Sequence, residues 1–192
     1  DVSLVGSEMC IRDRAYGDVR AGDAAFCIHS EIYKSRDNIN SIAHAHPMYG
    51  KTFSTLGKTL DPISQDSCAF YERTALFADY DGVANGPDEG INIAKALGEK
   101  DFVILQNHGI LTTGTMVDTA IWYFLNMEDA CKSQLLAEAV GKPIIIPHET
   151  ACATRDYVAN DLSAYVSFQP TVDVLWDCLL YTSDAADEKR GG

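Results

Sequence analysis

Residues 38–46 read NINSIAHAH and end in two histidines that a single alanine separates. Polar and apolar residues alternate along this stretch, which predicts a β-strand with Ile42, His44 and His46 on one face. Because Pro47 has no amide to donate to a sheet and suits the first turn of a helix, we expect the strand to give way to a short helix there. Both imidazoles then lie at the end of a strand, where α/β sheets place their ligands.

The rest of the chain alternates helical spacing with short apolar runs, which is typical of a single α/β domain. The run DFVILQNHGILTTG at 101–114 predicts a buried hairpin or a bent strand pair, interrupted at Asn107, His108 and Gly109. In the helix predicted over residues 117–140, four apolar residues are candidates for the core: Ile121, Leu125, Leu135 and Leu136. The predicted helices cover residues 23–36, 47–57, 63–80, 87–98, 117–140 and 149–167.

Charge and hydropathy exclude several function classes. The formal net charge is −13, which repels nucleic acid and anionic membranes alike. No run of 18 apolar residues and no secretory leader pattern is present, so we expect a cytoplasmic protein. The six cysteines are scattered without a CxxC motif and are interpreted as reduced; Cys68 is a nucleophile candidate with no base beside it.

The two ends of the chain differ in character from its middle. Residues 1–14 and 178–192 resemble translated sequencing-adaptor read-through, so we expect the native domain to cover residues 15–177. A pair of real, poorly ordered tails is the alternative interpretation.

The two histidines of the HAH motif supply two ligands of a metal site. A catalytic zinc needs three protein ligands and one open position, so a third ligand must come from elsewhere. His108 is the strongest candidate, because it interrupts a buried strand run next to a glycine that allows close approach. His29 shares a helix face with the core and is equally well interpreted as a hydrogen-bonded structural residue, whereas His148 is expected to be exposed. The alternative is that the pair is structural or lies at the surface.

Two longer stretches, residues 40–72 and 101–142, are similar to the class II aldolase/adducin family. The HAH motif and the HG of QNHGIL carry the resemblance. It implies an α/β fold, a three-layer α/β/α sandwich with a central, largely antiparallel sheet, assembled as a homotetramer. It also implies one Zn²⁺ per subunit, bound by His44, His46 and His108. Zinc then acts as a Lewis acid that stabilises the enediolate formed when a carbon–carbon bond breaks.

The sequence departs from the family pattern at the catalytic base. Aligning the helix before HAH places Ala25 where the family's aldolases carry a glutamate, and alanine cannot transfer a proton. Asp23 and His29 are the nearest candidates to replace it. The family's phosphate-binding Gly/Ser segment has no counterpart before residue 15, which indicates an N-terminally truncated gene.

Two functional hypotheses follow. The first is a zinc-dependent aldolase-type lyase that acts on a small sugar, sugar phosphate or hydroxy-carbonyl substrate. The second is a non-catalytic, adducin-like module for binding or assembly, which the alanine at position 25 favours.

Overall fold

The computed structural model of this protein describes residues 3–4, 23–80, 82 and 87–187. Across these residues runs one five-stranded sheet, in the order β1-β2-β5-β4-β3. Only the β3–β4 pair is parallel, and the other three pairs are antiparallel, so the expected largely antiparallel sheet is confirmed. The strands are β1 Ser3–Leu4, β2 Ser41–Ala45, β3 Thr74–Phe77, β4 Phe102–Leu105 and β5 Gly109–Gly114.

Helices cover both faces of the sheet. They are α1 Asp23–Ser35, α2 Met48–Ser54, α3 Pro87–Leu97, α4 Val117–Val140, α5 His148–Val158 and α6 Asp161–Asp187, with a short 3-10 helix at Ser67–Phe70. None of the helices in the described ranges is long and apolar enough to cross a membrane.

Alternating residues of strand β4 point into two separate cores. On one face Val103 and Leu105 join apolar residues of α1 and α3, and on the other Phe102 and Ile104 join residues of α2 and α4. Successive side chains of a strand point to opposite faces, so a strand that is apolar throughout is buried on both sides. The predicted three-layer α/β/α arrangement is therefore confirmed.

The predicted helix over residues 63–80 is wrong. A 3-10 helix ends at Phe70, Glu72 takes a positive φ of 60°, and Thr74–Phe77 forms strand β3. A left-handed residue ends any helix, and the parallel pairing of β3 with β4 then fixes the extended conformation. Local spacing could not indicate a partner strand that lies about thirty residues later.

The face that α4 turns toward the core was also mispredicted. Leu125 is 47% exposed and Leu136 is 58% exposed. Ile121 and Leu135 are only half-buried. The buried face of α4 is a mixture of aromatic, small and polar residues, so the positions of the leucines do not indicate where it lies. Its members are Thr119, Ala120, Tyr123, Phe124, Met127, Ala130, Cys131 and Gln134.

The helix predicted over residues 149–167 is in fact two helices, α5 and α6, which break at residues 159–160, whereas the other predicted elements lie close to their expected positions. The antiparallel hairpin β4–β5 and the helices α1, α2, α3 and α4 are present where the sequence predicts them. At the ends, β1 pairs with β2 and α6 continues to Asp187, while most of 1–14 and the last five residues lie outside the described ranges.

Candidate metal centre

Three histidines from two parts of the chain meet beside strands β2 and β5. The ring centroids of His44 and His46 lie 5.2 Å apart, those of His44 and His108 5.0 Å, and those of His46 and His108 4.5 Å. One ring nitrogen of each lies within 4.8 Å of the others, a spacing that could hold a metal ion. The structure thus brings together the three residues that the sequence singles out.

The turn between β4 and β5 aims His108 at this place. Asn107 takes a positive φ of 58°, and the His108 amide donates to the Leu105 carbonyl at 3.0 Å. At Gly109 an added Cβ would lie 2.6 Å from the Ala45 carbonyl oxygen, so only glycine allows β5 to approach β2 this closely.

His44 is held as a neutral ring with a defined tautomer. It is 7% exposed, and its Nδ1 lies 2.9 Å from the Ile110 carbonyl oxygen. A carbonyl only accepts hydrogen bonds, so Nδ1 carries the proton and Nε2 keeps a free lone pair. Burial is the main cause that lowers the pKa of His44 to about 3. This is the usual state of a histidine ligand, with its outer nitrogen bonded to a backbone carbonyl.

The other two rings are also kept neutral, in a more open setting. Burial lowers the pKa of His108 to about 4, with a further contribution from His46, and burial also lowers the pKa of His46. His108 is half-buried and His46 is exposed, so solvent reaches the group from one side. Tyr80 lies near that opening, with its ring centroid 6.2 Å from that of His108. Three neutral nitrogen donors with an open side fit a zinc ion that also binds a substrate.

A carboxylate that the sequence did not indicate fixes the helix after the HAH motif. The backbone amides of Tyr49 and Gly50 donate to the two carboxylate oxygens of Glu128 on α4, at 2.9 Å and 2.5 Å. The residue at the N-cap of α2 is Pro47, whose side chain cannot accept a hydrogen bond, and the first turn of α2 contains no acid. Glu128 therefore supplies the negative charge that a helix N-terminus favours, directly after His46. No local pattern could reveal it, because the contact spans 78 residues.

His29 lies behind the three histidines, with its ring centroid 6.4 Å from that of His44. It is fully buried, and neither ring nitrogen has a hydrogen-bond partner among the described residues. Burial lowers its pKa to about 4, so the ring is neutral at pH 7. His29 thus lies in the core as expected, but the described residues do not supply the hydrogen bond that the structural interpretation assumed.

The other sequence candidates lie elsewhere or lack the required chemistry. Asp23 begins α1, but its side chain is outside the described residues; Ala25 is half-buried on the same helix. The Cys68 thiol is fully buried, and burial raises its pKa, so it is not an activated nucleophile. His148 is exposed as expected and begins α5, where it contacts Tyr71 and Cys152.

Comparisons with known sequences and with solved structures relate this chain to one and the same family. Decarboxylase NovR of Streptomyces niveus is 39% identical over 154 residues, which cover 80% of this chain and 57% of that protein. The 4-hydroxy-3-prenylphenylpyruvate oxygenase/4-hydroxy-3-prenylbenzoate synthase of Streptomyces roseochromogenus subsp. oscitans is 38% identical. The match covers 80% of this chain and 56% of that protein. The chain thus spans slightly more than half the length of these curated relatives.

Among solved structures, L-fuculose 1-phosphate aldolase from Glaciozyma antarctica PI12 superposes with a TM-score of 0.75 and 40% identity. The match covers 83% of this chain and 61% of that one. The family model described as Class II Aldolase and Adducin N-terminal domain matches residues 6–135. The chain belongs to the class II aldolase and adducin family.

Proposed function

We propose that this domain is a zinc-dependent carbon–carbon lyase that acts on a small hydroxy-carbonyl compound, including sugars and sugar phosphates. The observation that supports it is the convergence of three neutral imidazoles on one point with an open side. In this proposal His44, His46 and His108 hold the ion. Bound zinc supplies a Lewis acid for the substrate's carbonyl and hydroxyl oxygens.

The protein's own residues contribute position and access. Glu128 anchors the helix that follows His46, and the Ile110 carbonyl orients the His44 ring. The buried side of the group excludes water, while the exposed His46 ring borders the side from which a substrate enters. Such preorganised groups are the main source of rate enhancement in reactions that develop negative charge on oxygen.

Proton transfer is the step in which this chain departs from an aldolase. Retro-aldol cleavage needs a base that takes the proton of a substrate hydroxyl, and the three-histidine group contains no carboxylate among the described residues. His29 is our first candidate, because its ring is neutral and close to His44, without a hydrogen-bond partner in the described chain. It is fully buried, so it would act on a substrate group that reaches the buried side of the three histidines. Asp23, on the first turn of the same helix, is the second.

Decarboxylation is a second candidate reaction, and Ala25 favours it. Loss of carbon dioxide also breaks a carbon–carbon bond beside a carbonyl, but the departing group is already ionised, so no base has to start the reaction. One curated relative is named as a decarboxylase. The substrate class would then be a small carboxylate with a neighbouring carbonyl group.

One set of assays separates these functions. The purified protein is incubated with a panel of sugar phosphates, hydroxy ketones and oxo acids, and both aldehyde and carbon dioxide release are measured with zinc and after chelation. We expect release of one product class that needs metal and is lost in His108→Ala. Turnover that persists after chelation would contradict the proposal, and a metal-free, inactive parent protein would favour the adducin-like module.

We also propose that the protein is a cytoplasmic homo-oligomer, specifically the homotetramer that the family resemblance implies. Helix α6 carries large apolar side chains that are more than half exposed, which favours burial against another subunit. They are Leu162, Val166, Val174, Leu175 and Trp176. Light scattering after size exclusion measures the assembly, and a monomer at micromolar concentration would contradict this proposal.

A further inference from the structure

A second group of metal-ligating side chains, which we call the thiol cluster, lies between the turn before β3 and helix α5. It consists of Glu72, His148 and Cys152. The Cys152 Sγ lies 3.8 Å from Nδ1 and 3.9 Å from Nε2 of His148, and 3.7 Å from Glu72 Oε2. The His148 Nδ1 lies 3.8 Å from Glu72 Oε1.

The distances from Cys152 Sγ to His148 Nε2 and to the Glu72 carboxylate, 3.9 Å and 3.7 Å, lie slightly above the separations between ligands of a tetrahedral cation. With Zn–S near 2.3 Å and Zn–N or Zn–O near 2.0 Å, tetrahedral angles place neighbouring ligand atoms about 3.3 to 3.6 Å apart. The three ligand atoms lie within 4.8 Å of one another, and the exposed His148 and Glu72 side chains have room to turn toward a shared ion. We propose that the thiol cluster binds a divalent cation of the zinc type, through one thiolate, one imidazole and one carboxylate.

The backbone and the neighbouring side chains hold the carboxylate in place. Glu72 has a φ of 60°, a conformation that non-glycine residues rarely adopt and that often marks a functional position. Arg155 donates to Oε2 of the carboxylate at 3.1 Å, which leaves Oε1 toward His148. With His148 Nε2 on the cation, Nδ1–H donates to the Tyr71 hydroxyl at 3.2 Å, the outer bond that orients metal-bound histidines.

A catalytic thiol is the competing interpretation, and the geometry disfavours it. A nucleophilic triad aims the thiol at one imidazole nitrogen within hydrogen-bond reach, but here Sγ lies 3.8 Å and 3.9 Å from the two ring nitrogens and is directed at neither. The pKa of Cys152 is raised, chiefly by desolvation, whereas an activated thiol has a lowered one. A cation that binds the sulfur would displace the thiol proton. The bound ion would join the first turns of α5 to the strand that enters the sheet at β3.

Cobalt titration tests the proposal, because cobalt is coloured and takes zinc sites. Only thiolate ligands give a sulfur-to-cobalt charge-transfer band in the near ultraviolet, and the three-histidine group contains no cysteine. We expect this band to appear by two cobalt ions per chain at micromolar protein, since the three-histidine group also takes cobalt, and zinc to remove it. It should be lost in Cys152→Ser and in His148→Ala, and retained in His108→Ala.

Cys178→Ser is the matched control, since that thiol is free and exposed and lies outside the cluster. It should leave the band unchanged. A parent protein without the band, or a band that survives in Cys152→Ser, would overturn the proposal. Circular dichroism confirms that each variant is folded, and the cobalt d–d absorption of the three-histidine group serves as an internal reading that does not depend on sulfur.

Discussion

The three-histidine group and the thiol cluster could each hold a cation, yet they are built in opposite ways. The first joins the end of β2 to a tight hairpin; its rings are kept neutral chiefly by burial, and a backbone carbonyl and a carboxylate-anchored helix fix their positions. The second joins a turn to a surface helix, and its His148 and Glu72 side chains are 63% and 48% exposed. Preorganisation thus distinguishes a site suited to chemistry from one suited to fastening two elements together.

The largest expected difference between the two sites appears when one ligand of the histidine group is removed. His108→Ala should weaken zinc binding there by more than about 100-fold, since even outer-shell changes cost 10- to 100-fold. Competition with a chromophoric chelator measures the affinity, and the thiol cluster should bind as before. A loss of less than about tenfold would show that His108 is not a ligand.

Because His29 is buried as a neutral ring, the stability of the protein should fall at acid pH. The folded-state pKa of His29 is about 4 and the ordinary value is 6.5, so the unfolded chain takes up its proton first as pH falls. The contribution of the buried, neutral His29 ring to the free energy of unfolding is therefore lost as the pH falls from 6.5 to about 4. We expect metal-free His29→Phe to lose roughly 2 to 3 kcal/mol less than the parent between pH 7 and pH 4.5.

Urea unfolding of the metal-free proteins at the two pH values provides this comparison. Equal losses in parent and variant would mean that His29 has a partner in the native protein. Because His44 and His108 are shifted in the same direction, part of the acid sensitivity should remain in the variant.

Removal of the carboxylate that anchors α2 should have an intermediate effect on stability and on zinc affinity. Glu128→Gln removes the charge that the amides of Tyr49 and Gly50 share, and we expect a loss of roughly 1 to 2 kcal/mol in stability. Zinc affinity at the histidine group should fall about tenfold, because His46 lies just before this helix. Asp129→Asn is the matched control, since it makes the same charge change on the next, exposed residue. Equal effects in both variants would remove Glu128 as a positioning residue.

The smallest expected effect concerns the thiol cluster. Glu72→Gly relieves the left-handed conformation but loses the Arg155 ion pair, so metal-free stability should stay within about 1 kcal/mol of the parent. Zinc should stabilise the parent against heat more than it does this variant. Thermal melts with and without zinc make the comparison, and equal zinc-dependent shifts would contradict a ligand role for Glu72.

Local patterns predicted the elements that carry the three histidines, but long-range contacts determined much of the rest. Alternation, proline and glycine marked β2, α2 and the β4–β5 hairpin, because each is specified within a few residues. Strand β3 depends on pairing with β4, and the Glu128 contact joins two distant helices. The buried face of α4 includes Gln134, whose amide is bonded to Asp61, so hydrophobicity alone could not locate it.

In our proposal His44, His46 and His108 together hold one zinc ion. Elemental analysis of Cys152→Ser tests it most directly, because this background removes the thiol cluster from the count. We expect close to one zinc per chain after dialysis against zinc-free buffer, and none in Cys152→Ser/His108→Ala. A folded Cys152→Ser protein that retains no zinc, or one whose zinc survives the loss of His108, would contradict the account.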